Sequence, residues 1–190
     1  MRDAPITIAN YDPAGDGADN DAIVIISREE WRRGELHDPD LAVEFIFRVL
    51  GAHRLPPGIE FPDKQARLIK LNRSLNKWQN QGRTQAHFFG VETNGVGYAM
   101  ASSLKSKISA PVIGYSTVGS ISSDKPYTSA KVSMPRLAAL DHLRMLMEIH
   151  RVKMIRDAVG AQDMIDELNS FVWARPGRPE EGAMRLTRYE

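Results

Sequence analysis

The chain has 190 residues, 42% hydrophobic and 26% charged, with a net charge of +1 at neutral pH. That length suits one domain with a substantial core, and the absence of cysteine excludes disulfides, thiolate metal sites and a cysteine nucleophile. No apolar run approaches the roughly 18 residues of a membrane span, and MRDAPITIAN enters a strand pattern directly, without the apolar core of a signal peptide.

Ile6–Ile26 reads as a strand, an acidic turn and a second strand. Ile6 and Ile8 flank polar Thr7, Asp12 falls at the strand end, Pro13, Gly15 and Gly17 break the chain, and Ala22–Ile26 is β-branched again. Asp12, Asp16, Asp19 and Asp21 crowd the turn, an arrangement that fits either a solvated hairpin or a hard-metal site. Arg28–Leu36 suggests a turn at Gly34 and a short third strand. Asp38-Pro39-Asp40 has the form of a helix start, and Leu41, Phe45, Ile46 and Val49 predict one helical face ending near Gly51. Leu55–Pro62, with three prolines and a glycine, is expected to be a loop.

From Asp63 a second helix is predicted, with Leu68, Leu71, Leu75 and Trp78 on its apolar stripe and Gly82 closing it. Ala86–Glu92 reads as a strand buried on both faces and ending in an acid. Thr93–Gly97 is a turn opening a helix that carries Val96, Met100 and Leu104. Pro111–Thr117 reads as another buried strand and Ser120–Ser129 as a polar loop. A helix is expected over Pro135–His150, a short strand over Arg151–Ile155 and an amphipathic helix over Ala161–Phe171. The segment 174–190, rich in Pro, Gly and Arg, is expected to be a mobile tail. With no internal repeat and no linker, residues 1–190 read as a single α/β domain.

Two predicted strands thus end in carboxylates, Asp12 and Glu92, each followed by a glycine-containing turn. The carboxyl ends of adjacent strands line the ligand crevice of an open α/β sheet, and carboxylates gathered there without His or Cys suit Mg²⁺ or Mn²⁺. Two such ions can activate water and stabilise the leaving oxygen of a phosphodiester. The charge distribution agrees. Residues 1–40 carry ten acidic and four basic side chains, a balance of −6; residues 63–107 carry eight basic and two acidic, +6; residues 124–156 carry seven and three, +4. An acidic pocket beside basic surfaces suits an enzyme acting on a polyanion, although basic residues on any one helix are commonly its solvated face. The five histidines show no zinc spacing. The serine clusters lack a partnered base, and Gly95-x-Gly97 is an incomplete dinucleotide fingerprint.

Taken together, the blocks Tyr11-Asp12-Pro13-Ala14-Gly15 with Asp19 and Asp21-Ala22, then Gly90–Gly97, then Asp124-Lys125, then Asp166-Glu167-Leu168 with Phe171, follow one another in an order that resembles the nuclease domain of the large terminase subunit of tailed bacteriophages. The resemblance spans nearly the whole chain and implies a ribonuclease H-like fold, a mixed β-sheet flanked by α-helices. It implies a metal-dependent endonuclease that cuts double-stranded DNA during genome packaging in the host cell cytoplasm. Asp12 and Glu92 would be the catalytic metal ligands for Mg²⁺ or Mn²⁺, and Asp19 an auxiliary acid. Lys125 would contact phosphate; Lys105 and Lys107 are DNA-binding candidates from charge and position. Implied partners are a packaging ATPase domain, the small terminase subunit and the portal. The chain has no phosphate-binding G-x-x-x-x-G-K-[ST] loop, so the nuclease half alone is expected. The family's third acidic block has no match among Glu180, Glu181 and Glu190, and the expectation is that the sequence stops short of that ligand. A resolvase-like nuclease for branched DNA, and a non-catalytic DNA-binding or motor-docking module, are the alternatives.

Overall fold

The computed structural model describes residues 4–14, 20–33, 42–118, 132–155, 157–174 and 185–188. Side-chain alternation sets its frame. In β1 (Ile6–Asp12), Thr7, Ala9 and Tyr11 are buried, while Ile8 and Asp12 point to the other face and are exposed. β2 (Asp21–Arg33) returns antiparallel, with Asp12 opposite Ala22 and Ile6 opposite Arg28. The two strands expected of this stretch are present, with residues 15–19 between them and the turn expected at Gly34 outside the described residues, and β2 is longer than expected. It continues unbroken to Arg33, because every residue from Ser27 onward finds a partner on β3 (Ala42–Leu55).

β3 overturns the helix predicted to end near Gly51. Phe45, Ile46 and Val49 satisfy a helical spacing, but the run EFIFRVL is aromatic and β-branched. In the strand Ile46 and Val49 are buried while Phe45 is exposed. Gly51 does not end the element; it pairs with Ile25, beside a bulge between Ile25 and Ile26. The proposed helix start at Asp38-Pro39-Asp40 lies outside the described residues. The long partner strand decides the conformation, since it pairs the backbone of β3 along its whole length.

α1 (Phe61–Asn80) starts slightly earlier than expected, with Pro62 in its first turn, and lays Leu68 and Leu75 fully buried on the sheet. Trp78 packs at the margin of the same core. β4 (Ala86–Glu92) matches the predicted strand, but only one of its faces is fully covered: His87, Phe89 and Val91 are buried, whereas Phe88 is half-buried. α2 (Gly97–Lys105) buries Met100, Ala101 and Leu104 and leaves Val96 exposed ahead of it. β5 (Val112–Val118) is also less covered than predicted, with Ile113 exposed. Then follow β6 (Val132–Pro135), α3 (Arg136–Glu148), β7 (Val152–Met154), α4 (Ala161–Ser170), β8 (Phe171–Ala174) and β9 (Arg185–Arg188). The last two elements pair antiparallel, Phe171–Ala174 with Arg185–Arg188; the rest of the expected tail, 175–184 and 189–190, lies outside the described residues. The predicted loop at 120–129 lies outside the described residues.

Seven strands form one mixed sheet in the order β6-β5-β4-β1-β2-β3-β7. β1, β4, β5 and β6 are mutually parallel, β2 is antiparallel to both neighbours, and β7 is parallel to β3. α1 and α2 cover one face, and the core lies there, built from Ala9, Tyr11, Ile25, Phe89, Val91 and their helix partners. α3 connects β6 at one sheet edge with β7 at the other. Among the described residues no helix is long and apolar enough to cross a membrane.

Candidate metal centre

β1 and β4 are parallel neighbours at the middle of the sheet; the chain goes from β1 to its antiparallel neighbour β2 on one side, and from β4 through α2 to β5 on the other. Their carboxyl ends are therefore the topological switch point, where an open α/β sheet leaves a crevice. The pairing Tyr11↔Val91 is the last in register, and one residue further sets Asp12 opposite Glu92. Both side chains project from the face away from α1 and α2, close enough that Asp12 acts directly on the Glu92 carboxyl. Two neighbouring carboxylates repel each other, and a cation between them offsets that repulsion.

The sheet holds Glu92 in place. The Thr117 hydroxyl, on neighbouring β5, donates to Oε1, and the Asn94 amide donates to the same oxygen at 2.7 Å. Asn94 also lies 3.2 Å from the Thr117 hydroxyl, which ties the turn after β4 to the end of β5. Burial pushes the Glu92 carboxyl upward, but the hydrogen bonds from Asp12, Thr117 and Asn94 prevail and leave it below the usual carboxylate range. Both Thr117 and Asn94 act on Oε1, so neither of them occupies the other oxygen.

Two glycines let the elements come together. A Cβ on Gly90 would stand 2.5 Å from Asn10 Oδ1 and 3.6 Å from the Tyr115 ring. Its absence lets Tyr115 lean from β5 across β4 to β1, where its hydroxyl accepts a 2.7 Å hydrogen bond from the Asn10 amide. Burial pushes the Tyr115 phenol up to about 12, helped by the charges of Glu92 and Asp12 and opposed by the Asn10 bond; at neutral pH it keeps its proton. At Gly97 a Cβ would overlap the Glu92 carbonyl oxygen and come within 2.9 Å of Pro13 Cγ. The start of α2, the end of β4 and the turn after β1 therefore meet at a residue without a side chain. An open groove of about 650 Å³ runs along the same sheet face, over Ile6, Ile8, Phe88 and Ile113, toward Asn10 and Tyr115.

Not all the sequence candidates converge here. Lys105 is exposed at the far end of α2, about 12 Å along the helix from Gly97. Lys107 lies beyond it and donates to Gln65 Oε1 at 2.5 Å, so α1 engages it. Asp19 and Lys125 lie outside the described residues. Asp21, one of the four aspartates crowded into the acidic turn of the sequence, opens β2, is 2% exposed, and faces the helix-covered side. Among the described residues no three His, Asp or Glu side chains converge as a metal cluster. Thr117, Asn10 and Tyr115 went unnoticed in the sequence, since their place depends on which strands are neighbours. Only Asn94, two residues after Glu92, gave a local signal.

No protein-family model matches the chain, and no curated protein matches its sequence. Solved structures do. The chain is similar to a human cytomegalovirus terminase nuclease domain, soaked with Mn and bound to an inhibitor, with a TM-score of 0.52 at 10% identity over 86% of this chain and 74% of that one. A second structure of the human cytomegalovirus terminase nuclease domain aligns with a TM-score of 0.48 at 10% identity, over 95% of this chain and 78% of that one. The mixed sheet, its flanking helices and the first of these likenesses give this chain a ribonuclease H-like fold, similar to that of the cytomegalovirus nuclease domain.

Proposed function

We propose that residues 1–190 form a divalent-metal-dependent endonuclease domain that cleaves double-stranded DNA during phage genome packaging in the host cytoplasm. The observation that carries this reading is the Asp12–Glu92 carboxyl pair, set side by side at the carboxyl ends of two parallel strands. The donors are oxygens alone, without His or Cys, which fits Mg²⁺ or Mn²⁺. Asp12 and Glu92 would hold the ion, which when bound supplies the charge that activates water and stabilises the leaving oxygen of a phosphodiester. Thr117 and Asn94 orient Glu92 beforehand, so little reorganisation is needed when the ion arrives. Asp19 is proposed as an auxiliary acid and Lys125 as a phosphate contact. Lys105 and Lys107, distant along α2, are proposed to meet phosphates of the flanking duplex. The packaging ATPase, small subunit and portal are the partners this reading implies.

A plasmid-nicking assay in Mn²⁺ tests the proposal. Asp12→Ala and Glu92→Ala are each expected to abolish nicking, and full activity in either would sink the assignment. The lack of a three-acid cluster among the described residues supports a second reading, a non-catalytic DNA-binding module. Calorimetry separates the two: no divalent-ion binding together with salt-dependent DNA affinity selects the module.

A further inference from the structure

Asp21 is the most deeply buried carboxylate among the described residues, and the chemistry above does not use it. Its two oxygens are filled. Oδ2 accepts the Tyr11 hydroxyl at 2.5 Å; Oδ1 accepts the Ala14 backbone N–H at 2.9 Å and the Lys64 ammonium at 3.0 Å. Lys64, in the first turns of α1, is only 17% exposed, so the pair is withdrawn from solvent. With both oxygens taken and the side chain on the opposite face of the sheet from Asp12, Asp21 cannot reach the ion.

Two of its three donors bracket Asp12 in the chain. Tyr11 directly precedes Asp12, and Ala14 follows two residues later. Asp21 therefore fastens the backbone on both sides of Asp12 to the start of β2, and Lys64 fastens that knot to α1. Burial of an ion pair contributes little to stability compared with apolar packing, whereas removing one partner strands a buried charge. Such a pair is better explained by the geometry it imposes than by the energy it adds.

We propose that Asp21 and Lys64 are positioning residues that set the place of Asp12 against Glu92, acting through Tyr11 and Ala14. The inference rests on the nuclease reading of the Asp12–Glu92 site and adds to it residues that touch neither ion nor DNA.

The test uses the full chain with Asp21→Asn and Lys64→Met, plus Leu75→Ala as a control that damages the core far along α1 from Lys64. Mn²⁺ affinity is measured by calorimetry, and plasmid nicking is followed across Mn²⁺ concentration below each variant's melting transition. Asp21→Asn and Lys64→Met are expected to weaken Mn²⁺ binding about tenfold, with nicking recovering toward wild type as Mn²⁺ is raised. Leu75→Ala is expected to lower Tm and leave the Mn²⁺ affinity unchanged. Wild-type Mn²⁺ affinity in Asp21→Asn, or an equal loss in Leu75→Ala, overturns the inference. If Asp21→Asn does not fold, Lys64→Met, which keeps the length of the stem, decides by the same criteria. Wild-type nicking in Asp12→Ala is a different failure, that of the nuclease reading itself.

Discussion

Gly97→Ala is a small change at the point where the candidate centre is most tightly built. In an exposed helix interior, Gly→Ala gains about 1 kcal/mol from propensity. At Gly97 the sign should reverse. The new methyl would overlap the Glu92 carbonyl oxygen and stand 2.8 Å from the Glu92 carbonyl carbon and 2.9 Å from Pro13 Cγ. Ordinary carbon contacts begin near ~3.5 Å. Two of the three atoms belong to the backbone of Glu92, which cannot swing aside as a side chain would, and the carbonyl oxygen is the closest of the three, so α2 and the end of β4 must separate by about 1.5 Å. Overpacking of this kind costs about 1–3 kcal/mol, and contact with backbone puts Gly97 at the upper end. The displaced residue is Glu92, and misplacement of a reacting group by about 1 Å can cost on the order of 10²-fold in rate. Urea denaturation should show the loss of stability. Mn²⁺-dependent nicking, measured where the variant is still folded, should show the larger loss of rate. A variant as stable and as active as wild type would refute the claim that this close approach places Glu92.

Two further outcomes follow from the same geometry. Thr117→Val keeps the side-chain shape but removes the hydroxyl donor to Glu92 Oε1. A hydrogen bond to a charged group contributes about 1.5–3 kcal/mol, so the Mn²⁺ affinity should fall by about ten- to a hundredfold by calorimetry; an unchanged value would deny Thr117 any part in orienting Glu92. His87 is 4% exposed on β4, with its two ring nitrogens 3.0 Å from Gln79 Oε1 and 3.1 Å from Asn72 Oδ1; a neutral ring satisfies both if one amide turns its NH₂ inward. Burial lowers its pKa below the ordinary 6.5. Below pH 6.5 the unfolded chain then binds the proton more readily than the folded one, so this contribution to stability, full above 6.5, declines as pH falls toward the depressed folded value. Tm measured against pH should drop over that window in wild type and less steeply in His87→Gln; parallel curves would refute it.

The sequence alone was enough for features that depend on local pattern. β1, β4 and α1 follow from alternation, from a continuous apolar run and from a 3.6-residue stripe, and the acids at the ends of β1 and β4 were readable because each precedes a chain-breaking turn. The resemblance to terminase nuclease domains rested on the order of those blocks, and the fold agrees with it. Tertiary structure decided everything that depends on which strands become neighbours. Phe45, Ile46 and Val49 fit a helix as well as a strand, and only the length of β2 alongside them selected β3. Asp21 and Asp12 look alike in the sequence, nine residues apart in one acidic turn. They face opposite sides of the sheet because the antiparallel register places Ala22, not Asp21, across from Asp12. Thr117 and Glu92 are 25 residues apart and meet because β5 lies parallel beside β4. A strand's own pattern shows which residues share a face; hydrogen bonding between strands determines which faces, and which carboxylates, come together.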